Sequence, residues 1–267
     1  MAVLTRESVD ELLKKLDVDG YVILRDVVSQ DRLEQFHTEL MRQFHDVRDE
    51  GRLFSGGGMI TGHLNCFPGE HARFIYEEIA DYGIVEVARA RDAASAERPR
   101  ATLNFNLPGS VAQHYHMDGL YTDEFLICNV AVVDTDVHNG AFDVLPGTHR
   151  EFMKFWRYAV ERKYRLSTRV PLRQGDAILR LSTTWHRGTP NLSDTARPMA
   201  AITFGELSAP EGDPFAVNGG EMAFYPNWYG TDRLGQLRER TYAALPLSYS
   251  AYRFVRSLYG KKGYSTF

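Results

Sequence analysis

Cysteine is the rarest residue in this 267-residue chain, with only Cys66 and Cys128 present. Two cysteines cannot form the disulfide framework of a small secreted domain, so we expect both to be small buried side chains. Runs of five or more like charges are also missing, and 31 basic residues against 35 acidic ones give a net charge of −4. These absences argue against a disulfide-stabilised extracellular module and against a nucleic-acid partner.

Long hydrophobic stretches are absent as well. No apolar run is long enough to cross a bilayer, and the first residues lack the basic and apolar segments of a signal peptide. We therefore expect a cytoplasmic protein with no membrane partner. A composition of 43% hydrophobic and 25% charged residues is typical of a globular protein with a sizeable core, and it leaves monomer and homodimer equally open.

The spacing of apolar residues predicts one domain, residues 1–267, with three parts. Residues 1–95 are predicted to form supporting helices and a first strand, the helices covering 6–16, 30–47 (with Ser29 as N-cap) and 70–94. Residues 100–206 contain many short apolar segments separated by glycine, proline and asparagine, a pattern typical of a β-sandwich or closed jelly roll. Residues 207–267 are aromatic and basic, and they are predicted to form a lid or a packed extension. The expected fold class is mainly β with flanking helices.

The segment from Gln113 to Gly119 carries the first candidate functional residues. In an extended chain alternate side chains share a face, so His116 and Asp118 point the same way. A second histidine from a distant strand, His186, completes a set of two imidazoles and one carboxylate. This set holds non-haem Fe(II) and leaves other coordination positions open for chemistry.

Arg197 follows His186 after a turn-rich segment that contains Pro190-Asn191 and Ser193-Asp194. We interpret this segment as the turn of a hairpin that brings Arg197 back beside the His186 strand. A guanidinium binds a carboxylate in a bidentate fork, so an arginine at this depth suits the far carboxylate of a dicarboxylic co-substrate whose other end chelates the metal.

The chain at this point resembles the phytanoyl-CoA dioxygenase-like (PhyH) branch of the Fe(II)/2-oxoglutarate oxygenases. The matching features, in order, are Asp19 to Leu24 before a helix, His116-x-Asp118, the segment Asn139 to His149, the distal His186, and Arg197-Pro198. The segment 139–149 is similar to the family pattern N-G-x-x-x-x-x-P-G-S/T-H. Together these features cover about the first four-fifths of the chain.

The resemblance implies a double-stranded β-helix, with Fe(II) on His116, Asp118 and His186. It also implies 2-oxoglutarate as co-substrate and O2 as oxidant, with Arg197 on the distal carboxylate of 2-oxoglutarate. Gln113 and Asn104 are further candidates for binding the co-substrate. Halogenases of the family have a small residue in place of the carboxylate, so Asp118 favours hydroxylation, ring closure or desaturation of an unactivated C–H bond, with release of succinate and CO2.

Substrate contacts are sought among polar and aromatic residues near these motifs. The candidates are His63, Asn65, Phe125, Arg180 and Trp228. Polar groups beside aromatic rings suit a small polar, glycosidic secondary metabolite, similar to the substrates of the oxygenases that act on orthosomycin-type oligosaccharide antibiotics.

Several alternatives stay open. By parity His114 lies on the face of His116 and can compete as a ligand. A buried Arg180 needs an acidic partner, so it can replace Arg197 or bind substrate. Three consecutive glycines, Gly56 to Gly58, favour a flexible loop within residues 51–70. At the level of function, an acyl-CoA hydroxylase of the same family and a non-catalytic jelly-roll module with a structural metal are the alternatives.

Overall fold

The computed structural model of the protein describes residues 4–206 and 212–259. Within them the α-helices are α1 (Arg6–Asp19), α2 (Gln30–Asp49), α3 (Arg73–Tyr82), α4 (Ile84–Arg91), α5 (Ala93–Ala96), α6 (Phe155–Val160), α7 (Arg233–Ala244) and α8 (Pro246–Tyr259). The strands are β1 (Tyr21–Leu24), β2 (His63–Phe67), β3 (Pro99–Asn106), β4 (Leu126–Ala131), β5 (Phe142–Val144), β6 (Thr168–Val170), β7 (Ala177–Leu181), β8 (His186–Gly188), β9 (Arg197–Phe204) and β10 (Ala223–Tyr225).

Two antiparallel sheets form the centre of the fold. The large sheet has the strand order β1-β7-β4-β9-β3-β2-β10, and the small sheet has the order β6-β5-β8. Non-sequential neighbours such as β4 and β9 show that the chain crosses repeatedly between the two sheets, as in a jelly roll. The predicted fold class, mainly β with flanking helices in a double-stranded β-helix, is confirmed.

One face of the large sheet packs against the N-terminal helices. Alternation along β3 turns Leu103 and Phe105 to this face, where they join the apolar stripes of α1 to α4 in one core. Phe44 of α2, for example, stacks on Phe105 with ring centroids 5.4 Å apart. Cys66 and Cys128 are free thiols buried in the same core, as predicted.

The opposite face of the large sheet faces the small sheet. At one end of this space Ala131, Ile178 and Met199 of the large sheet pack against Phe142 and Val170 of the small sheet. This apolar contact closes that end of the sandwich. The polar residues that alternate with the helix-facing positions of β3, β4 and β9 therefore point into an enclosed space between the sheets.

The N-terminal helices differ from the prediction in two details. The long helix expected over 70–94 is broken into α3, α4 and α5, because Gly83 adopts a left-handed φ of 103° and ends α3. Ser29 precedes α2 as predicted but makes no side-chain capping bond; its N–H donates to Glu78 at 2.6 Å instead. Thr5 does cap α1, since its hydroxyl accepts from the Ser8 N–H at 3.3 Å.

The glycine-rich segment is more ordered than a loop prediction suggests. Residues 63–67 form β2, which pairs with β3 and β10. Gly58 has a φ of 110°, and a Cβ there would lie 1.9 Å from the carbonyl oxygen of His63. Glycine is therefore required at this position for close backbone approach rather than for flexibility.

The predicted hairpin between His186 and Arg197 is wrong. β8, which carries His186, belongs to the small sheet, whereas β9, which carries Arg197, lies between β4 and β3 in the large sheet. The turn-rich segment thus crosses from one sheet to the other. Arg197 faces His186 across the sandwich instead of lying beside it on a neighbouring strand.

The C-terminal helices pack onto the body of the protein. Arg253 of α8 lies over the Phe155 ring at 4.1 Å and donates to the Tyr115 carbonyl at 2.7 Å. In α7, Tyr242 donates to the Ala112 carbonyl at 2.6 Å. Residues 212–259 therefore contact the segment that precedes His116, while 207–211 and 260–267, which belong to the predicted lid or extension, lie outside the described residues.

Among the described residues no helix combines the length and the apolar character needed to cross a membrane. The single-domain assignment, the cytoplasmic location and the oligomeric state stay predictions.

Glu239 anchors α7 to the glycine-rich segment. It is fully buried, and one carboxylate oxygen accepts from the N–H groups of Ile60 and Thr61 at 3.0 and 2.8 Å and from the Thr61 hydroxyl at 2.9 Å. Because Glu239→Ala leaves these donors buried without an acceptor, we expect it to lower the free energy of unfolding by about 2–4 kcal/mol. Glu239→Gln retains an acceptor and should cost less.

The measurement is denaturant unfolding followed by tryptophan fluorescence, with the exposed Glu50→Ala as the matched control, expected to stay within about 0.5 kcal/mol of the parent protein. Equal stability of the Glu239→Ala and Glu50→Ala proteins would contradict the anchoring role.

Candidate functional site

The centre of the site is a backbone bridge between His116 and His186. The two residues exchange hydrogen bonds at 3.0 and 2.8 Å, forming an isolated antiparallel bridge rather than part of a longer strand. Asp118 continues the extended segment, and its N–H donates to the Ser182 carbonyl at 2.8 Å. The bridge fixes both histidines on one side, and the alternation of an extended chain adds Asp118 to them.

The three side chains meet at the edge of the space between the sheets. The Nε2 atom of His116 lies 3.7 Å from Oδ1 of Asp118, and the Nε2 atom of His186 lies 3.5 Å from Oδ2. One ligand atom from each of the three residues lies within 4.8 Å of the others. Two atoms bound about 2.1 Å from one metal at right angles are roughly 3 Å apart, so small adjustments bring this set to metal-binding distances.

Hydrogen bonds at the far side of each imidazole set the ligand atom. The Nδ1 atom of His116 lies 2.9 Å from the His114 carbonyl oxygen, and that of His186 lies 2.9 Å from the Thr184 carbonyl oxygen. A carbonyl accepts only from a protonated nitrogen, so Nδ1 carries the hydrogen and Nε2 presents its lone pair toward Asp118. The donor set therefore fits a metal with two imidazoles and one carboxylate on one face.

Burial and charge put the three groups in the ionisation states that a metal requires. Burial lowers the pKa of His116 and lowers that of His186 well below its ordinary value, the latter aided by repulsion from Arg180. Burial alone would raise the pKa of Asp118, but the charge and the hydrogen bond of Arg180 oppose it, and that pKa is lowered. Neutral imidazoles and an ionised carboxylate are the metal-binding forms.

Arg197 is a buried cation with no anionic partner in the described part of the chain. Its side chain is enclosed in the large sheet, and its Nη2 donates to the Gly140 carbonyl at 2.9 Å. Within residues 4–206 and 212–259 it forms no ion pair, and its Nε has no hydrogen-bond partner. Burial lowers its pKa to about 10, which still leaves the guanidinium charged near neutral pH. A buried charge of this kind needs an anionic ligand.

A cavity of about 340 Å³ joins the metal-ligand set to Arg197. Gln113 and Asn104, the candidates for co-substrate binding, both line it; Gln113 accepts from the Gly188 N–H at 2.8 Å. Among the substrate candidates, Asn65, Phe125, Arg180 and Trp228 line it as well. The Trp228 ring lies 5.1 Å from the His116 ring, centroid to centroid, and forms part of the cavity wall beside the metal ligands.

Two histidines considered from sequence lie elsewhere. His63 is buried outside the cavity lining, and its Nε2 lies 2.7 Å from the Val111 carbonyl oxygen; burial lowers its pKa to about 4. His114 is absent from the metal-ligand set, and its ring packs between Trp228 and Tyr249, 4.9 Å from each. His63 is therefore held by a backbone carbonyl and His114 packs among aromatic rings, and neither residue lines the cavity.

Arg180 lies beside the metal-ligand set, not beside Arg197. Its Nη2 donates to Oδ2 of Asp118 at 2.6 Å, and its Nε donates to Asn129 at 3.0 Å. The acidic partner that a buried arginine requires is thus Asp118 itself.

Other cavity residues were not foreseen from the sequence. They continue the cavity-facing alternation of β3, β4 and β9 or lie at its edges: Arg100, Thr102, Ile127, Asn129, Phe142, Ala201, Thr203, Glu206 and Asn227. Arg100 pairs with Glu206 at 2.8 Å at this wall. Since Arg197 was assigned to the site, counting every second residue from it along β9 would have found Ala201 and Thr203.

Comparison with known proteins identifies relatives of most of the chain. The sequence profile of the family described as phytanoyl-CoA dioxygenase (PhyH) matches residues 16–199. An ectoine dioxygenase from Stutzerimonas stutzeri (strain A1501) is 24% identical in a 174-residue alignment; the match covers 60% of this chain and 56% of that protein. The chain thus spans little more than half the length of this relative.

Solved structures share the fold at low identity. The non-haem α-ketoglutarate-dependent carbocyclase SnoK of nogalamycin biosynthesis superposes with a TM-score of 0.57 at 20% identity, covering 81% of this chain and 89% of that one. HygX from Streptomyces hygroscopicus, solved with nickel, 2-oxoglutarate and hygromycin B, gives a TM-score of 0.54 at 18% identity, covering 79% and 90%. At these identities the likeness supports the jelly-roll fold.

The position of Trp228 can be tested with a divalent metal ion such as Co(II). Because its indole lies next to His116, Co(II) at the ligand set should quench Trp228 more strongly than Trp156 or Trp185, the other two tryptophans. We expect Trp228→Phe to lose most of the metal-dependent quenching in a fluorescence titration, and Trp156→Phe to retain it. Undiminished quenching in the Trp228→Phe protein would show that the indole is not the group near the metal.

Proposed function

Because the chain belongs to the phytanoyl-CoA dioxygenase (PhyH) family, we propose that it is an Fe(II)- and 2-oxoglutarate-dependent dioxygenase that oxidises an unactivated C–H bond of a small polar molecule. The observation that carries the proposal is the pairing of a two-histidine, one-carboxylate set with a buried arginine that has no carboxylate partner among the described residues. A structural zinc site would account for neither the three-ligand set nor Arg197.

The site residues have complementary roles in this proposal. His116, Asp118 and His186 hold the iron, and Arg197 binds the distal carboxylate of 2-oxoglutarate, with Gln113 and Asn104 as further polar contacts. When bound, iron and 2-oxoglutarate together supply the oxidising power that breaks a C–H bond as O2 is consumed and succinate and CO2 are released.

The protein contributes placement and exclusion of water. Two imidazoles held by backbone carbonyls keep their Nε2 atoms aimed at one point, so the metal ligands are organised before any metal arrives. Phe125, Phe142 and Trp228 give the cavity apolar walls beside the ligand set. These walls hold the substrate against the reactive side of the centre and limit access of water.

The substrate we propose is a small, hydroxyl-rich secondary metabolite, such as a glycoside, that undergoes hydroxylation or oxidative ring closure. A cavity of about 340 Å³ suits a small molecule, and amide and hydroxyl groups converge on it from Asn65, Thr102, Thr203 and Asn227. Arg100 and Glu206 form a neutral ion pair at the same wall, so this part of the lining favours an uncharged or zwitterionic molecule.

The co-substrate assignment is tested without a substrate. Anaerobic addition of Fe(II) and then 2-oxoglutarate to the metal-free protein should produce the visible charge-transfer band of the chelated co-substrate. Arg197→Gln removes a charge-assisted fork, so the Kd for 2-oxoglutarate should rise about 10–100-fold. Arg197→Lys keeps the charge and loses the bidentate geometry, so its Kd for 2-oxoglutarate should lie between those of the parent protein and Arg197→Gln.

Fe(II) affinity is the internal control. Because Arg197 lies on the opposite sheet from His186, the Kd for Fe(II) should be the same in the parent protein, Arg197→Gln and Arg197→Lys. Iron binding without a charge-transfer band in the parent protein would reject 2-oxoglutarate as the co-substrate.

The substrate class is tested by succinate formation. Polyhydroxylated compounds, including amino sugars and glycosides, should raise the rate of 2-oxoglutarate decarboxylation above the substrate-free background because substrate binding triggers turnover. Acyl-CoA thioesters should leave the background rate unchanged, since the cavity is small for a nucleotide-bearing thioester. Stimulation by acyl-CoA alone would support the acyl-CoA hydroxylase alternative.

A further inference from the structure

Arg180 is a charged residue of the cavity to which the proposed function assigns no role. It is 4% exposed and comes from the middle of β7, a strand paired on both sides by β1 and β4. Its guanidinium reaches the Asp118 carboxylate at 2.6 Å and therefore contacts a metal ligand directly.

We propose that Arg180 is a positioning residue that holds Asp118 so that the carboxylate offers one oxygen to the metal. This inference rests on the metal centre of the proposed function. The guanidinium donates to Oδ2, which also lies 3.5 Å from Nε2 of His186. Oδ1 lies 3.7 Å from Nε2 of His116 and, among the described residues, accepts no hydrogen bond, so it is the oxygen left for the metal.

Asp118 needs such support more than the two histidines do. Each histidine is held by a bond from Nδ1 to a carbonyl and by the backbone bridge. The Asp118 side chain is 31% exposed, and the next residue, Gly119, turns the chain out of the extended form with a φ of 67°. Across residues 4–206 and 212–259, the hydrogen bond to the Asp118 carboxylate comes from Arg180.

Arg180 is itself rigidly held. Its Nε donates to Asn129 of the neighbouring strand at 3.0 Å, and its guanidinium lies 5.3 Å from the centre of the Phe142 ring. Phe142 in turn stacks on the His186 ring, with centroids 4.9 Å apart and 16° between the planes. The position of the Asp118 carboxylate is therefore tied to strand β7 and to the ring of a second metal ligand.

The guanidinium has two opposing effects on metal affinity. Its positive charge repels a divalent cation, whereas its hydrogen bond fixes the ligand and removes the need to reorganise it on binding. Removing a residue that hydrogen-bonds to a metal ligand typically lowers the metal affinity about 10–100-fold. We infer that the positioning effect dominates, which gives the test a definite sign.

The experiment compares Co(II) binding by the full chain and by Arg180→Met, Arg180→Gln and Arg180→Lys variants, using visible absorption and calorimetry. Arg180→Met should raise the Kd for Co(II) about 10–100-fold. Arg180→Gln, whose amide can still donate to Asp118, should show a smaller rise. The Co(II) visible band of Arg180→Met should change in shape and intensity as the carboxylate is released from its one-oxygen geometry.

The matched control is Arg169→Met. Arg169 likewise pairs with a nearly buried aspartate, Asp143, at 2.5 Å, but Asp143 lies outside the metal-ligand set. Its loss should leave both the Kd and the Co(II) spectrum unchanged. Thermal unfolding of each metal-free variant separates loss of fold from loss of affinity, and Arg180→Lys and Arg180→Gln serve if Arg180→Met does not fold.

If folded Arg180→Met binds Co(II) as tightly as the parent protein or more tightly, the inference is overturned and the metal centre stays intact. If Arg180→Met does not fold, the same result for both Arg180→Gln and Arg180→Lys overturns it. Failure of the parent protein to bind Co(II) or Fe(II) would overturn the metal centre itself, and with it the role of Arg180.

Discussion

The backbone bridge between His116 and His186 is the contact on which the site depends. It joins the irregular segment around His116 to strand β8 of the small sheet, and hydrogen bonds from the N–H groups of Gln113 and Asp118 flank it. Each imidazole is oriented by a backbone carbonyl two residues before it in the sequence. The bridge therefore sets the distance between the two histidine rings.

Charge in the cavity is distributed unevenly. Asp118 is compensated by Arg180, whereas Arg197 has a carbonyl as its hydrogen-bond acceptor and, within residues 4–206 and 212–259, no carboxylate partner. The cavity therefore holds a surplus positive charge on the side of the large sheet, before any divalent metal adds to it. A dianionic co-substrate that spans the metal and Arg197 would neutralise this surplus, because both of its ends would meet positive charge in a poorly hydrated space.

The C-terminal part of the described chain completes the cavity from outside the jelly roll. Trp228 contributes its ring beside His116, and α7 is attached through Glu239 and Tyr242 to segments that border the cavity. These attachments are hydrogen bonds between side chains and backbone groups: Glu239 accepts from N–H groups and Tyr242 donates to a carbonyl. Such bonds favour a defined position over a loose apolar contact. The wall over the metal ligands thus depends on residues far along the chain from the ligands themselves.

The sequence by itself determined which residues could act together locally. The spacing of His116 and Asp118 places both on one face of an extended chain. Residue chemistry was likewise enough to predict a carboxylate-binding role for a deep arginine.

Only the tertiary structure decided which partners these residues meet. Periodicity says on which side of a strand a residue lies, but it does not say to which of two facing sheets the strand belongs. Arg197 was therefore expected beside His186 and instead lies across the sandwich from it, and His63 turned to a backbone carbonyl instead of the cavity. Arg180 contacts Asp118 because β7 pairs with β4 beside the segment that carries Asp118. This contact depends on long-range strand pairing, which local sequence does not encode.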